Sequence, residues 1–386
     1  MPALPPRHTT IPAHADLPRR TRIDLVLVGA RGQVGSAFRH RLAAQQAAIA
    51  RRCGLDLRLL AAFDRRGLAH DLAGLPPDGL EPHLQPRREE DIEALFAQLK
   101  RPGHPPVVVV DCTASDAIAA RYPEWLAAGL GVVTANKRAN ARELDFYRQI
   151  QRAAATGEAP YRFETTVGAA IPLLGPLRAL ALRGERVLAI RGVLSGSLAF
   201  LLERLHAGES FSSALRAAQA LGYTEPDPGE DLRAEDLARK LLVLAREAGF
   251  PLEATQIAIT AFSPAASSDP AGWHQQLHDE DARWAARIAE AMSKGLRWVM
   301  LAEIDADGAR IGLRALPAAS PFASLPAGQN LVRIETELQG ERPLWLGGPG
   351  AGPDVTAAGV LSDVIDAASV LAWCGYEANR RRSVAA

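Results

Sequence analysis

Glu225, Asp231, Asp236 and Lys240 set three carboxylates and one ammonium around a turn that Gly222, Pro226 and Pro228 force on the chain. Tyr223 and Thr224 stand in the same turn. Such a set suits a small zwitterion. From about Asp231 to Arg246 the apolar spacing predicts a helix, and at about 100° per residue Asp236, Lys240 and Val243 share one narrow stripe. Leu237, Ala238, Leu241, Leu242, Leu244 and Ala245 form the apolar face, and Glu235, Arg239 and Arg246 mark the wet side. The Asp236 and Lys240 pair thus borders a cleft. The same spacing also describes an ordinary i,i+4 ion pair worth roughly a few tenths of a kcal/mol.

A second group of residues carries phosphate chemistry. Ile23 to Val28 reads as a short apolar strand that meets Gly29-Ala30-Arg31-Gly32-Gln33-Val34-Gly35 and then a helix through about Ala50. Glycines between strand and helix let the backbone approach a pyrophosphate, whose charge the first helical N–H groups and the helix dipole receive. The motif departs from GxGxxG, because Ala30 takes the first glycine position in that register and Gly29 stands one residue earlier. Leu57 to Phe63 reads as a second strand closed by Asp64. A carboxylate there bonds ribose hydroxyls and favours NAD, whereas the following Arg65 and Arg66 suit the 2′-phosphate of NADP. Asp64 lies further beyond the glycines than the usual spacing of about 20 residues, so the first helix and its connection must be long, and a surface turn stays open as the alternative for Asp64. Val107 to Val110 has the fully apolar character of a buried parallel strand, and Thr113, Ala114 and Ser115 follow it, where ligands gather in such sheets and where hydroxyls also cap helices. Val132 to Asn136 is another strand, leading into Lys137.

Alternating strands and helices imply an α/β chain: a Rossmann-like doubly wound parallel sheet, then a second α+β domain for catalysis and dimerisation. Residues 1–20 form a tail, 21–155 the nucleotide-binding domain, 156–340 the second domain, and 341–386 a segment returning to the first. The second domain opens with Glu164 and the small run Thr165 to Ile171, whose carbonyls suit a hard cation. Strands are expected at Val187 to Leu194, Trp298 to Ile304, Arg310 to Leu316 and Leu331 to Glu337, with a helix at Ala214 to Leu221. The loop Gly347 to Pro353, with Gly350 at its centre, precedes Asp354 as N-cap of a last helix from Val355 toward Val370, offering a second anion-binding helix start or a hinge.

Composition removes several classes of function. Forty-four basic residues balance 44 acidic ones, so no overall field draws the chain to nucleic acid or an anionic membrane. Cys53, Cys112 and Cys374 lack CxxC spacing, which argues against a disulfide framework and a structural zinc site and points to the cytoplasm. The first twenty residues lack the apolar core of a signal segment, and no apolar run is expected to approach the roughly 20 residues that span a bilayer.

The string YTEPDPGEDLRAEDLARK (223 to 240) resembles the substrate and catalytic segment of homoserine dehydrogenases. The resemblance continues through VVVVDCTAS (107 to 115), TANKRA (134 to 139), FETTVGAAIP (163 to 172), RGVLSGSLAF (191 to 200) and GGPGAGPDVTAAGVLSDVI (347 to 365), and so covers nearly the whole chain. It implies reduction of L-aspartate 4-semialdehyde to L-homoserine, reversibly, by NADP or NAD, on the route to threonine, methionine and isoleucine. It implies that Lys240 supplies the proton or cation for the carbonyl oxygen, that Asp236 fixes Lys240, and that Glu225 and Asp231 hold the substrate ammonium. Lys137 becomes an active-site residue and Thr113 a cofactor contact. A structural Na+ falls to Glu164 and the carbonyls of Val167, Ala169 and Ile171, and the assembly is a homodimer or homotetramer. After the last helix comes only the basic stretch Arg380 to Arg382. A short form is therefore expected, without the C-terminal regulatory domain or fused aspartate kinase of longer relatives. The alternatives are another semialdehyde or hydroxy-acid oxidoreductase and a nucleotide-binding sensor without catalysis.

Overall fold

The computed structural model describes residues 20–224, 228–263 and 273–385, with side chains over 20–224, 228–263 and 279–376. Glu225 and nearly all of the expected N-terminal tail lie outside these residues. The described residues form two units, one within 20–139, 145–166 and 353–385, the other within 140–144 and 167–352. The changeovers thus come at 166/167 and 352/353, against the expected 155 and 340.

The first unit contains β1 (Thr21–Val28), α1 (Gln33–Cys53), β2 (Leu55–Phe63), β3 (Leu68–His70), α2 (Glu89–Leu99), β4 (Val107–Asp111), α3 (Asp116–Ala119), α4 (Tyr122–Ala127), β5 (Gly131–Thr134), α5 (Leu144–Thr156) and β6 (Tyr161–Arg162). Its sheet has the order β3-β2-β1-β4-β5-β6 and is parallel except at β3, which turns back antiparallel on β2. The doubly wound sheet is therefore present with one antiparallel edge strand. All five residues of β4 are buried, as a strand covered on both faces requires. The register pairs Val28 with Phe63 on one side and with Asp111 on the other, so the carboxyl ends of β1, β2 and β4 finish level. The strand order reverses between β1 and β4, the position where ligands bind in open α/β sheets.

The second unit contains α6 (Leu174–Leu182), β7 (Val187–Val193), α7 (Gly196–His206), α8 (Phe211–Ala220), α9 (Pro228–Leu232), α10 (Glu235–Glu247), β8 (Ile257–Ile259), α11 (Trp273–Ser293), β9 (Leu296–Asp305), β10 (Gly308–Pro317), β11 (Gln329–Thr336) and β12 (Leu344–Pro349). Its sheet runs β12-β11-β7-β9-β10-β8, antiparallel except for β8 beside β10. Phe211, Phe262 and Trp284 stack in the core, with Phe262 and Trp284 centroids 4.7 Å apart.

Three local expectations give way to the tertiary packing. The helix expected over 231 to 246 is two helices, because Ala234 adopts φ +59° and breaks the spiral between α9 and α10. Arg246, expected in water, is buried: its guanidinium donates to the carbonyls of Asn140 and Arg142 at 2.7 Å and of Leu252 at 3.0 Å. Gly347, Gly348 and Pro349 belong to β12 rather than to a loop, paired through Gly347 with Leu331 and Pro349 with Gln329.

The last helix, α12 (Pro353–Ala385), returns to the first unit. It starts at Pro353, so Asp354 lies in its first turn rather than at the N-cap. Its stretch Pro353–Tyr376 is, by length and composition, apolar enough to cross a membrane, contrary to the expectation for this chain. The apolarity serves packing instead. Ala357, Val360, Leu361, Val364, Ala367, Ala368, Leu371 and Ala372 recur at helical spacing and join the buried core formed with β1, β2 and β4.

Candidate active site

The turn after β1 is fastened by its own backbone. Gly29 N–H donates to the Phe63 carbonyl at 2.8 Å, and Gly32 N–H donates to the Gly29 carbonyl at 3.0 Å. Gly29 has φ +84°, and a Cβ there would stand 2.9 Å from Thr113 Cγ2 and 3.1 Å from the Cys112 carbonyl. A Cβ on Gly35 would stand 2.2 Å from the Gly29 oxygen, so α1 reaches the turn only because both residues are glycine. Ala30, which departs from the glycine pattern, is fully buried in the core, and its methyl group packs there. Gly32 precedes α1 without a side-chain cap, so the N–H groups of Gln33, Val34 and Gly35 remain suited to an anion. This backbone fits a dinucleotide pyrophosphate.

Asp64 is no loose surface turn. Arg31 reaches from the glycine turn to grip it bidentately, Nε to Oδ2 at 2.6 Å and Nη2 to Oδ1 at 2.7 Å. The Arg66 and Gly67 N–H groups add bonds to Oδ1 at 2.8 and 3.2 Å. The Arg31 hydrogen bonds are the main reason that the carboxyl is lowered to about 2. Arg65 and Arg66 are exposed beside it.

The carboxyl ends of β4 and β5 are tied by a buried network that sequence reasoning missed. Asp111, fully buried, accepts hydrogen bonds from Tyr122 Oη at 2.5 Å, Asn136 Nδ2 at 3.1 Å and the Thr113 N–H at 2.8 Å. Tyr122 Oη also lies 2.8 Å from Thr134 Oγ1. Burial pushes the Asp111 carboxyl upward against these bonds, and pushes the Tyr122 phenol up as well. A carboxylate closing an all-valine strand was the available signal. The network fixes two segments: Thr113, whose Oγ1 accepts the Ser115 N–H at 3.1 Å, and the turn bearing Lys137, in which Asn136 Oδ1 accepts the Arg138 N–H at 3.1 Å. Lys137 is half-buried and Ala114 exposed. Ser115 caps α3 by accepting the Ile118 N–H at 3.3 Å. Cys112 lies behind this edge, and burial raises its thiol far above the ordinary range, leaving it a poor nucleophile.

In the second unit α10 carries Lys240 and Asp236 as the spacing requires. Lys240 Nζ lies 2.8 Å from Asp236 Oδ2 and donates at 2.8 Å to the Leu194 carbonyl, with only 12% of the side chain exposed. Leu194 and Ser195 join β7 to α7, whose first two residues are Gly196 and Ser197. There Ser195 caps α7 by accepting the Leu198 N–H, Ser195 Oγ meets Ser197 Oγ at 3.0 Å, and Ser197 Oγ donates to Asp231 Oδ1 at 2.7 Å. One serine junction thus links Asp231 to Lys240. The sequence reads here as a strand leading into Ser195-Gly196-Ser197 and a helix, with nothing that ties these serines to Asp231 or Lys240. Tyr223 stacks on Phe200 at 4.4 Å between centroids and stays 40% exposed, and Thr224 is half-buried.

Gly350 packs on Asn330: a Cβ there would stand 2.3 Å from Asn330 Cγ and Oδ1. Asn330 is 1% exposed, and neither polar atom of its side chain has a hydrogen-bond partner among the described residues. Near the expected cation ligands, Gly168 and Ala169 adopt consecutive left-handed conformations, φ +75° and +53°. The Glu164 N–H donates to Asp363 Oδ2 at 2.9 Å. Among the described residues no three His, Cys, Asp or Glu side chains form a metal-holding group; the expected cation ligands, one carboxylate and three carbonyls, are of a different kind.

Comparison with known proteins agrees with both halves. A family profile described as homoserine dehydrogenase matches residues 172–365, and one described as the homoserine dehydrogenase NAD binding domain matches residues 31–164. The homoserine dehydrogenase of Emericella nidulans is 37% identical over 273 residues, 67% of this chain and 74% of that protein. The chloroplastic bifunctional aspartokinase/homoserine dehydrogenase 1 of Zea mays is 34% identical over 364 residues, 91% of this chain but 39% of that protein. The chain spans only 39% to 44% of the length of such bifunctional relatives. A hyperthermophilic archaeal homoserine dehydrogenase in complex with NADPH has the same fold, with a TM-score of 0.70 at 24% identity, covering 90% of this chain and 98% of that one. By profile and by relatives alike, the chain belongs to the homoserine dehydrogenase family.

Proposed function

We propose that this chain interconverts L-aspartate 4-semialdehyde and L-homoserine with NADP or NAD, a step toward threonine, methionine and isoleucine. The observation that carries the reading is the Lys240 ammonium, nearly buried and held at 2.8 Å by both Asp236 and the Leu194 carbonyl. Family membership and the NADPH bound by the archaeal relative support the cofactor. The backbone of Gly29 to Gly35 would hold the pyrophosphate of the dinucleotide, which when bound would supply or accept the hydride.

As hydride reaches the aldehyde carbon, negative charge grows on the carbonyl oxygen. Lys240 donates a hydrogen bond and then a proton to that oxygen, giving the alcohol, and recovers its proton from solvent. Asp236 keeps the amine oriented, and the Leu194 carbonyl takes a second N–H. Asp231, with Glu225, receives the substrate ammonium, and Tyr223 and Thr224 complete the substrate turn. Lys137 receives the carboxylate or shares the proton transfer. Glu164 and the carbonyls of Val167, Ala169 and Ile171 would hold a monovalent cation, Na+, whose charge would steady the segment in which Ala169 is left-handed, a conformation that costs about 1 kcal/mol or more in a residue other than glycine. We place the protein in the cytoplasm as a homodimer or homotetramer, checked by sedimentation. An acylating mechanism is disfavoured by the raised Cys112 thiol.

Lys240→Met should lower homoserine-dependent reduction of NADP or NAD by about 10²- to 10⁴-fold while leaving dinucleotide binding intact. Turnover near that of the parent would refute the assignment of Lys240.

A further inference from the structure

We propose that Arg31 acts as a charge-cancelling latch on Asp64, so that the adenosine ribose site of this chain accepts a 2′-phosphate and selects NADP over NAD. The inference rests on the dinucleotide reading above. A free carboxylate at the end of β2 accepts from the vicinal ribose hydroxyls and repels a phosphate in the same place. Asp64 is not free. Its Oδ1 already accepts from Arg31 Nη2 at 2.7 Å, Arg66 N–H at 2.8 Å and Gly67 N–H at 3.2 Å, and its Oδ2 accepts from Arg31 Nε at 2.6 Å. The two vicinal hydroxyls would have to compete with an arginine fork for one remaining acceptor face.

The charge balance points the same way. Three guanidiniums, those of Arg31, Arg65 and Arg66, meet one carboxylate at this strand end, and the latter two are exposed. Arg31 uses Nε and one terminal nitrogen on Asp64, which leaves its other terminal nitrogen able to donate to a phosphate. Glu81, the other carboxylate acting on Arg31, is tied to Arg39 at 2.9 Å. The latch comes from the glycine turn itself, so the residue that offsets Asp64 also borders the pyrophosphate backbone.

The test is calorimetric titration of the whole chain with NADP+, NAD+, 2′,5′-ADP and 5′-AMP, for the parent, Arg31→Ala, Asp64→Asn and the double variant. The parent should bind NADP+ and 2′,5′-ADP at least tenfold more tightly than NAD+ and 5′-AMP. Arg31→Ala exposes the carboxylate and should weaken the phosphorylated ligands by about 10- to 100-fold, with NAD+ and 5′-AMP bound as tightly as by the parent or more tightly, because the freed carboxylate can accept from the ribose hydroxyls. Removing the carboxylate as well, in the double variant, should restore most of the lost NADP+ affinity. A role for Arg31 confined to folding the turn predicts instead that all four ligands weaken together and that Asp64→Asn rescues none of them; that pattern overturns the proposal while the dinucleotide reading stands. A parent that prefers NAD+ also overturns it. A parent that binds none of the four ligands brings down the dinucleotide reading and this inference with it.

Discussion

The Arg31 and Asp64 pair has a consequence for stability as well as for ligands. Asp64 titrates at about 2 in the folded chain, below its ordinary 3.8. A depressed carboxylate contributes stability that is fully present above about pH 4 and is lost as pH falls through 2, here about 2 kcal/mol. Asp64→Asn should therefore show a shallower loss of stability than the parent between pH 4 and pH 2 in urea titrations. Parallel acid limbs in the two proteins would mean that the pair stabilises nothing. Lys240 and Asp236 were readable from their spacing alone, since four residues along a helix place two side chains together. Their partners were not. Leu194, Ser195 and Ser197 reach Lys240 and Asp231 from a strand end some forty positions away, and no local pattern encodes that meeting.

The elements deliver these residues through close backbone approach. The join of β1, turn and α1 depends on Gly35, whose missing Cβ leaves room for the Gly29 carbonyl. Gly35→Ala should cost about 1 to 3 kcal/mol from the forced separation and weaken 2′,5′-ADP binding, measured by melting and by titration; an unchanged melting temperature would show that the turn yields freely. The break at Ala234 is the opposite case. Apolar periodicity runs on through residues 231 to 246 and predicts one helix, but α9 and α10 are set at an angle by a left-handed alanine that is itself 1% exposed. Periodicity reports which residues are apolar, and a bend that keeps them buried leaves no mark on it. Arg246 escaped for a related reason: a long charged side chain reads as wet, although here the carbonyls of Asn140, Arg142 and Leu252 receive it in the interior.

At the scale of the whole molecule, the two ends of the described chain belong to one unit: β1 opens it and α12 completes its core. Val364→Asp should place an unpaired charge in that core, costing roughly 3 kcal/mol or more. Hydrogen exchange should then quicken in β1 and β4 while β9 and β11 of the second unit keep their protection. Equal loss in both units would show that the damage is not confined to the core that α12 completes. The sequence by itself determined the class of fold, because strand–turn–glycine–helix patterns and all-valine strands are local. It also determined the helical pairing of Asp236 with Lys240 and, through motifs spread along the chain, the family resemblance. Only the tertiary structure decided that Asp64 is latched by Arg31, that Asp111 anchors the edge bearing Thr113 and Lys137, and that an alanine-rich helix of membrane-spanning length is a core element. Each of these joins residues far apart in the chain, and their meeting follows from sheet order and register, which no local window of sequence contains.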